Sequence, residues 1–487
     1  MNTIDKIRVR MYRIGTGDCF LLHFYENDNI PIKMMIDCGA FGADKKDFEK
    51  VFDNIYQETG GIIDILVVTH EHSDHTNGLT KFQKSFYEKF NFKKVWFAWT
   101  EADEPFANLF RKEHVKIKKV VKNAVKKLNA ISTSAALGKT LKNYESKGRF
   151  IAANEHFLQS MNFLNNLHTT EELSENGNIA TLSQILKEKG IISDSTKVEF
   201  LQPGQVIENQ ENAQGIRFLV LGLPKDYKFV KITERKNEGY DERDEKGNTD
   251  LLFRNLMMLD NNSEELNDLV PFEANYIADK QDLIAKEYLN PDFEWRKIDN
   301  EWLNTSASLA MRLENLTNNT SLVLAIQFIN SEKVLLFSGD AQHGNWLSWH
   351  ENLKWKIVNS QNKSVKVDVN YILQNTVLYK AGHHLSHNGT LKAKGLELMT
   401  HDDFAAIVSL DPDSLGGGWD STMPNDQIGE ELIRRSNGKI LFLGDRNKII
   451  GKIKTDRTSI SQLDMKTIED INSPFDGQIY IDYTING

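Results

Sequence analysis

A short stretch of the chain carries a high density of side chains that bind metal ions. It reads VVTHEHSDHTNG over residues 67–78, and six consecutive positions within it hold three histidines, a glutamate and an aspartate. Imidazole and carboxylate groups are ligands for zinc, and also for manganese and iron. In a tight loop, positions i and i+2 can converge on one ion, and positions i+4 and i+5 on a second. The spacing therefore predicts one ligand pair at His70 and His72 and another at Asp74 and His75.

The residues before and after this stretch predict the elements that position it. Strand-like apolar patterns occur at residues 7–11, 19–25, 32–37 and 62–69. After Gly78, apolar residues recur at helical spacing from Leu79 to Phe90. A strand followed by a helix is an α/β crossover, so the histidine cluster is predicted to lie in the loop at the carboxyl end of the strand.

Strand patterns return in the second half of the chain, at residues 320–328, 333–340, 404–411, 438–445 and 478–485. Residues 101–200 are different, because they are rich in Lys, Asn and Ala at helical spacing. They predict an inserted helical region. Since strand patterns occur on both sides of this region, the simplest interpretation is one α/β domain over residues 1–487 that carries the insertion.

The composition limits the class of protein. Of the 487 residues 40% are apolar and 26% charged, and the net charge of -10 argues against a surface that coats nucleic acid or anionic membrane. The sequence contains no apolar run of about 18 residues, so no membrane span is predicted. The N-terminal residues lack the apolar region of a signal peptide, so we expect a cytoplasmic protein. Cys19 and Cys38 lie in apolar stretches and are predicted to be buried free thiols, with a disulfide as the alternative.

The sequence THEHSDHTNG resembles the signature loop of the metallo-β-lactamase superfamily. This resemblance implies an αββα four-layer sandwich with a metal site at one edge. MMIDCG resembles the motif whose aspartate, here Asp37, supports the metal loop. LLFSGD resembles the motif whose aspartate bridges two metal ions, which makes Asp340 the bridging ligand.

LYKAGHHLSHNGT resembles the last motif of the superfamily, which supplies a histidine to the second ion. By resemblance to phosphocholine esterases of this superfamily, His384 is assigned to the second ion and His383 to substrate contact. The reverse assignment is the alternative. His387, three residues further along, is predicted to lie at the surface or to support the ligands.

The third motif departs from the superfamily pattern. Many members have a histidine just before the strand that leads into GD, but here that place reads TNNTSLVLAI, with Asn318 near the expected position. An amide oxygen is a neutral and weaker ligand than imidazole, so we expect the first ion to be held loosely. This departure, the opening IGTGDCFLLHF and the double histidine resemble one branch of the superfamily. That branch contains the metallo-β-lactamase domain of DNA-uptake competence proteins and the phosphocholine esterases.

The resemblance implies a hydrolase with two divalent ions, zinc first and manganese as the alternative, that share a bridging hydroxide. Asp74 would bind the second ion and orient the hydroxide, and with His383 it forms the predicted catalytic pair. The chain lacks the cysteine ligand of many β-lactamases. His383 follows Asp340 by only 43 positions, which leaves too little chain for the cap domain of RNA-processing members. The leading expectation is therefore hydrolysis of phosphodiester bonds in nucleic acid or nucleotides.

A basic segment, RKEHVKIKKVVKNAVKK, bears on nucleic acid as a partner. Lys118, Lys119, Lys122 and Lys126 lie largely off an apolar stripe at helical spacing. A solvated face of a packed helix is the ordinary interpretation, and a phosphate-binding surface is the functional one. Two other functions stay open: hydrolysis of a small ester, lactone or thioester, and a catalytically inactive regulatory subunit with a protein partner. The sequence does not indicate the oligomeric state.

Overall fold

The structure, a computed structural model, describes residues 3–112, 181–208, 214–235, 237–240, 316–415, 423–453 and 479–487. The chain divides into two compact units, the first being Met1–Arg111, Leu167–Asp244 and Asn315–Gly487. The second, Lys112–Asn166 and Glu245–Glu314, lies outside the described residues except for Lys112. Most of the predicted insertion at 101–200 also lies outside them, as do Lys118, Lys119, Lys122 and Lys126. The predicted domain boundaries and basic surface therefore stay predictions.

The strands of the described chain are, in order, β1 (Lys6–Tyr12), β2 (Cys19–Glu26), β3 (Asn29–Cys38), β4 (Ile62–Val68), β5 (Asn91–Ala98), β6 (Lys197–Leu201), β7 (Val206–Ile207), β8 (Ile216–Gly222), β9 (Val323–Phe328), β10 (Val334–Phe337), β11 (Lys354–Val358), β12 (Ser364–Asp368), β13 (Thr376–Lys380), β14 (Ala405–Val408), β15 (Ile440–Phe442) and β16 (Tyr480–Asn486). Its α-helices are α1 (Lys45–Thr59), α2 (Ser73–Thr80), α3 (Lys84–Tyr87), α4 (Leu182–Glu188), α5 (Tyr227–Val230), α6 (His343–Asn352), α7 (Val369–Gln374), α8 (Asp426–Arg435) and α9 (Arg446–Lys452). A further helical segment covers residues 105–112.

Two seven-stranded mixed sheets form the framework. The first has the order β16-β1-β2-β3-β4-β5-β6 and the second the order β15-β14-β13-β10-β9-β8-β7. In the first sheet β3 to β6 run parallel, and in the second β10, β13, β14 and β15 run parallel. The remaining neighbours in both sheets are antiparallel. Each sheet therefore has a group of strands whose carboxyl ends lie at one edge.

The two sheets face each other across a shared apolar core. The rings of Phe20 in β2 and Phe337 in β10 have centroids 5.6 Å apart. Phe218 in β8 lies 6.2 Å from Phe24 in β2 and 5.2 Å from Trp96 in β5. Side chains from both sheets belong to this one cluster of buried residues. Since full burial of a large apolar side chain contributes about 1.5–3 kcal/mol, these contacts hold the sheets face to face.

Helices pack on the outer faces of the sheets. On the first sheet, α1 begins after the capping residue Asp44 and buries Phe48 and Phe52 against strand residues. On the second, Trp346 of α6 lies 6.1 Å from Tyr379 of β13. The predicted mixed α/β class is confirmed, as is the prediction that the two cysteines are buried free thiols. None of the described helices has the length and apolar character needed to span a membrane.

The structure differs from the prediction around the histidine cluster. The prediction placed all of the cluster in a loop, but α2 begins at Ser73, so Asp74 and His75 lie in its first turn. Ala40 fixes this helix, because its backbone N–H donates to Asn77 Oδ1 and its carbonyl accepts from Asn77 Nδ2. The cluster is thus held on a helix terminus rather than on a free loop.

The predicted helix beyond Gly78 also differs, since α2 ends at Thr80. A second short helix, α3, covers Lys84–Tyr87 and contains Phe86, but Phe82 and Phe90 lie outside both helices. The rings of these three phenylalanines surround Phe52 of α1, with centroids 5.4–6.1 Å from its ring. Burial of these rings against α1 outweighs the continuation of the helix that their spacing indicated.

Candidate metal centre

The candidate site lies at the carboxyl ends of parallel strands from both sheets. Asp37 is the second-last residue of β3, and the histidine cluster follows β4 in the first sheet. In the second sheet Asp340 follows β10, and His384 follows β13. The backbone N–H of Leu322 donates to the carbonyl of Thr69 at 2.9 Å and links the two edges. Ligands of α/β proteins bind preferentially at such strand ends.

Four side chains converge there on one small volume. The potential ligand atoms of Asp74, His75, Asp340 and His384 all lie within 4.8 Å of one another, and all four residues are buried. Asp340 Oδ2 is 3.1 Å from His75 Nε2 and 3.3 Å from His384 Nε2. His384 Nε2 is also 3.1 Å from Asp74 Oδ2. The structure therefore brings together the predicted ligand pair Asp74 and His75, the predicted bridging ligand Asp340 and the predicted ligand His384, and this cluster could hold a metal ion.

The donor set fits a divalent cation. Two imidazoles and two carboxylates are a common ligand combination for zinc and manganese. Asp74 Oδ1 is buried and has no hydrogen-bond partner among the described residues. An unsatisfied buried carboxylate oxygen costs free energy, and a bound cation would compensate for it.

His75 is oriented by a carboxylate behind it. Asp37 Oδ2 lies 2.8 Å from His75 Nδ1 and accepts from the Thr69 hydroxyl at 2.6 Å. Asp37 Oδ1 accepts from the backbone N–H of Thr69 at 2.8 Å. These contacts favour the tautomer with the proton on Nδ1, so Nε2 is available as a ligand toward Asp340.

His384 is oriented in a similar way by a neighbouring strand. Its Nδ1 lies 3.0 Å from the carbonyl oxygen of Ser409, which follows β14. The Ser409 hydroxyl donates to Asp18 Oδ1 at 2.6 Å. Because the carbonyl can only accept a hydrogen bond, the His384 proton is placed on Nδ1 and Nε2 is available to a cation.

A buried lysine completes the polar interior of the site. The Lys380 ammonium lies 2.7 Å from Asp18 Oδ2 and 3.3 Å from Asp340 Oδ1, and only 1% of its side chain is exposed. It also donates to the Gly339 carbonyl at 3.0 Å. Asp18, Lys380 and Ser409 were not predicted from the sequence as residues of the site. Lys380 ends β13 three positions before the double histidine, but its residue type alone does not assign it to the site.

Electrostatic interactions in the site favour positive charge between the carboxylates. Burial alone would lower the pKa of His384, but Asp340 and Asp74 raise it to about 9. Burial likewise opposes the protonated form of His75, and the surrounding carboxylates, led by Asp340 and Asp18, raise its pKa well above the ordinary value. Burial would raise the pKa of Asp340, but His384, His75 and Lys380 hold it well below its usual range. The cluster therefore has the field that a bound cation requires.

The other predicted ligand pair lies beside this cluster. His70 Nε2 and His72 Nδ1 are 3.1 Å apart, and the His70 ring centroid is 4.2 Å from that of His75. His70 Nδ1 contacts the hydroxyls of Thr69 at 3.1 Å and Ser321 at 3.3 Å. Burial, followed by the neighbouring charge of His75, lowers the pKa of His70 well below its ordinary value. A neutral imidazole in this position is available as a ligand.

Asn318, predicted as a ligand, and His383, predicted to contact the substrate, are in contact with each other. Asn318 Nδ2 is 3.1 Å from His383 Nε2, and His383 Nδ1 is 3.0 Å from Asn388 Oδ1 and 3.4 Å from Gln342 Nε2. All four side chains are buried. The histidine assigned to substrate contact thus belongs to a group of uncharged polar side chains next to the ligands. His387 is not one of the four converging residues, and its Nε2 contacts the carboxylate of Glu234.

The double histidine requires an unusual backbone. His383, His384 and Leu385 have φ values of 47°, 48° and 66°, in the left-handed region. For residues other than glycine this conformation costs on the order of 1–3 kcal/mol each, and such strain occurs preferentially at functional sites. The strained turn directs the two adjacent histidines to different partners, His383 to Asn318 and His384 to Asp74.

Two glycines allow the start of α2 to approach the first sheet. A Cβ on Gly39 would lie 2.3 Å from the carbonyl carbon of Asp74, and one on Gly17 would lie 2.4 Å from the Asp74 carbonyl oxygen. The backbone N–H of Asp18 donates to that same oxygen at 3.0 Å. The glycines of the GTGD turn and the DCG motif therefore let the backbone of the metal loop pack closely. This role of the two glycines was not predicted from the sequence.

Comparison of the whole chain with protein-family models gives no match, and comparison with curated proteins gives no significant match.

Proposed function

We propose that this protein is a hydrolase of the metallo-β-lactamase fold that uses divalent metal ions to cleave phosphodiester bonds in nucleic acid or nucleotides. The observation that carries the proposal is the convergence of Asp74, His75, Asp340 and His384 within 4.8 Å in a buried position. Their order along the chain and the motifs around them resemble those of the metallo-β-lactamase superfamily.

The ligand residues divide into two groups. Asp74, His75, Asp340 and His384 would hold one ion, zinc or manganese. His70 and His72 would hold the other ion, with Asp340 as the shared ligand. When bound, such ions lower the pKa of a coordinated water toward about 7 and neutralise negative charge that develops on the substrate.

The surrounding residues orient the ligands and exclude water. Asp37 and the Ser409 carbonyl hold the Nδ1 protons of His75 and His384, so that both Nε2 atoms face the carboxylates of the site. The burial of all four ligands strengthens each electrostatic interaction. The protein thus prepares a fixed anionic cluster, which is preorganised for a cation and for the reaction that the cation supports.

The adjacent group of polar side chains favours a phosphate ester as the substrate. His383 lies between Asn318 and Asn388, with Gln342 also in contact, directly beside the ligand His384. Amide N–H and imidazole N–H groups donate hydrogen bonds to phosphoryl oxygens without adding a full charge. We assign to His383 the role of holding a non-bridging oxygen of the substrate, which a proton on Nε2 would contact in place of Asn318 Nδ2.

Hydrolysis assays on matched variants test the proposal. Full-length protein is supplied with zinc or manganese and offered bis-p-nitrophenyl phosphate, single- and double-stranded DNA, RNA and p-nitrophenyl acetate. We expect diester cleavage that is lost in His384→Ala and kept in His350→Ala, because His350 contacts the carbonyl of Lys394 and none of the proposed ligands. Cleavage of the acetate with no activity on any diester would contradict the phosphodiesterase assignment and favour a small-ester hydrolase. Metal binding without hydrolysis of any substrate would contradict the enzymatic proposal.

A further inference from the structure

Lys380 is a buried cation that has no role in the function proposed above. It is the last residue of β13, all of whose residues are buried, and 1% of its side chain is exposed. A lysine is almost never fully buried unless it is paired, because transfer of an ammonium group from water costs several kcal/mol. Its charge is compensated by Asp18 at 2.7 Å and by Asp340 at 3.3 Å.

The two oxygens of Asp340 have different partners. Oδ1 faces the Lys380 ammonium, whereas Oδ2 faces His75 Nε2 and His384 Nε2. The backbone of the same residue is fixed separately, because the Asp340 N–H donates to the Ser321 hydroxyl at 3.1 Å. Lys380 on one side and the two histidines on the other therefore fix the orientation of the Asp340 carboxylate.

We propose that Lys380 is a positioning residue for Asp340, whose ammonium holds Oδ1 and thereby directs Oδ2 toward the metal ion. The inference rests on the proposed function, since it assigns Lys380 a role toward the same ion. Asp18 anchors the ammonium through its own Oδ2, while its Oδ1 accepts from Ser409 behind His384. One buried ion pair thus supports two of the four ligands.

A positioning role and a simple charge effect predict opposite changes in metal affinity, so this proposal can be tested. A fixed positive charge close to the site repels a cation, so its removal would tighten metal binding if charge alone mattered. Removal of a group that orients a ligand weakens metal binding, typically by 10- to 100-fold for residues that support metal ligands. The direction of the change in metal affinity therefore distinguishes the two effects without any assay of activity.

The experiment measures zinc affinity by competition with a chromophoric chelator in full-length protein. It compares wild type, Lys380→Met and Lys380→Gln, two uncharged side chains of similar size of which only glutamine can donate a hydrogen bond to Asp340. Lys333→Met is the control, because Lys333 lies before β10, at the end of the strand opposite to Asp340. Circular dichroism and thermal unfolding without metal report whether each variant folds.

We expect Lys380→Met to bind zinc at least about 10-fold more weakly than wild type. Lys380→Gln should lie between the two, and Lys333→Met should match wild type. Equal or tighter binding by Lys380→Met overturns the positioning role. If Lys380→Met does not fold, Lys380→Gln decides alone: weaker binding than wild type supports the role, and equal or tighter binding overturns it. A wild-type protein that binds no divalent ion would overturn the proposed function together with this inference, whereas equal binding by wild type and variant overturns the inference alone.

Discussion

Asp37 and His75 form a buried pair in which Oδ2 of the carboxylate lies 2.8 Å from Nδ1 of the imidazole. The pair leaves His75 Nε2 facing Asp340, at 3.1 Å from its Oδ2. A carboxylate behind a ligating histidine fixes both the ring orientation and the tautomer. This relationship explains why an aspartate at the end of β3 belongs to the site although it lies outside the cluster of four ligands.

Substitution of Asp37 by asparagine is expected to weaken metal binding by about 10- to 100-fold. The asparagine oxygen can still accept from the backbone N–H of Thr69, but its amide nitrogen would face His75 Nδ1. That contact favours the tautomer with the proton on Nε2, which cannot bind a cation. Competition with a chelator measures the change.

Asp64→Asn is the control for this substitution, because Asp64 of β4 contacts Lys33 and Lys93 instead of the site. Its metal affinity should equal that of wild type. Unchanged affinity in Asp37→Asn would show that the carboxylate does not set the tautomer of His75.

Substitution of Gly39 by alanine is expected to displace the start of α2. The new Cβ would meet the Asp74 carbonyl carbon at 2.3 Å, and the backbone there can yield only by moving the metal loop. Overpacking of this kind costs about 1–3 kcal/mol, so the free energy of unfolding should fall and metal affinity should fall with it. Urea denaturation and zinc titration measure the two effects.

Gly451→Ala is the matched control, since a Cβ at Gly451 of α9 would meet nothing within 4 Å. Alanine within a helix is more favourable than glycine by roughly 0.5–1 kcal/mol, so this variant should be unchanged or slightly stabilised. A Gly39→Ala protein as stable as wild type, with normal metal affinity, would contradict the close packing of these two backbone segments.

The stability of the protein should fall between pH 7.5 and pH 5 because of His23, which lies outside the site. Burial, with the nearby charge of Arg8, lowers the pKa of His23 to about 4 in the folded protein. The Arg8 guanidinium donates to His23 Nδ1 at 2.7 Å, which requires a neutral ring. In the unfolded chain the pKa is about 6.5.

A depressed folded-state pKa means that the stabilisation is complete above about pH 6.5 and is lost as the pH falls toward 4. By proton linkage the loss is about 2 kcal/mol between pH 7.5 and pH 5. His23→Gln keeps an acceptor for Arg8 but does not titrate. On acidification from pH 7.5 to pH 5, the unfolding free energy of wild type should therefore fall by about 2 kcal/mol more than that of the variant. Urea denaturation at each pH measures both values. A difference that stays constant with pH would show that His23 does not titrate in this way.

The sequence predicted the parts of the fold that depend on continuous patterns. The strands around residues 19–25, 32–37 and 62–69 were predictable because each is a short and mostly apolar run, and the structure contains β2, β3 and β4 there. The helix α2 was not, because its residues are the polar ones of the metal loop. Its conformation depends on contacts with Ala40 and on Gly17 and Gly39, which leave room for the backbone of Asp74.

The candidate site shows the same division. Asp74, His75, Asp340 and His384 could be chosen from motifs because their residue types carry the chemistry. Asp18 and Lys380 could not, since their role arises from a contact at 2.7 Å between residues far apart in the chain. No local pattern distinguishes a buried lysine that supports a carboxylate from one that merely ends a strand.

The measurement that tests the central claim most directly is the metal content per chain of wild type and Asp340→Asn, purified without chelator and then equilibrated with zinc. Asp403→Asn is the control, because Asp403 forms a surface ion pair with Lys333. We expect tightly bound zinc in wild type and in the control, and its loss in Asp340→Asn while that variant stays folded. Wild-type protein without bound metal, or equal metal content in all three proteins, would contradict the assignment of this cluster as a metal centre.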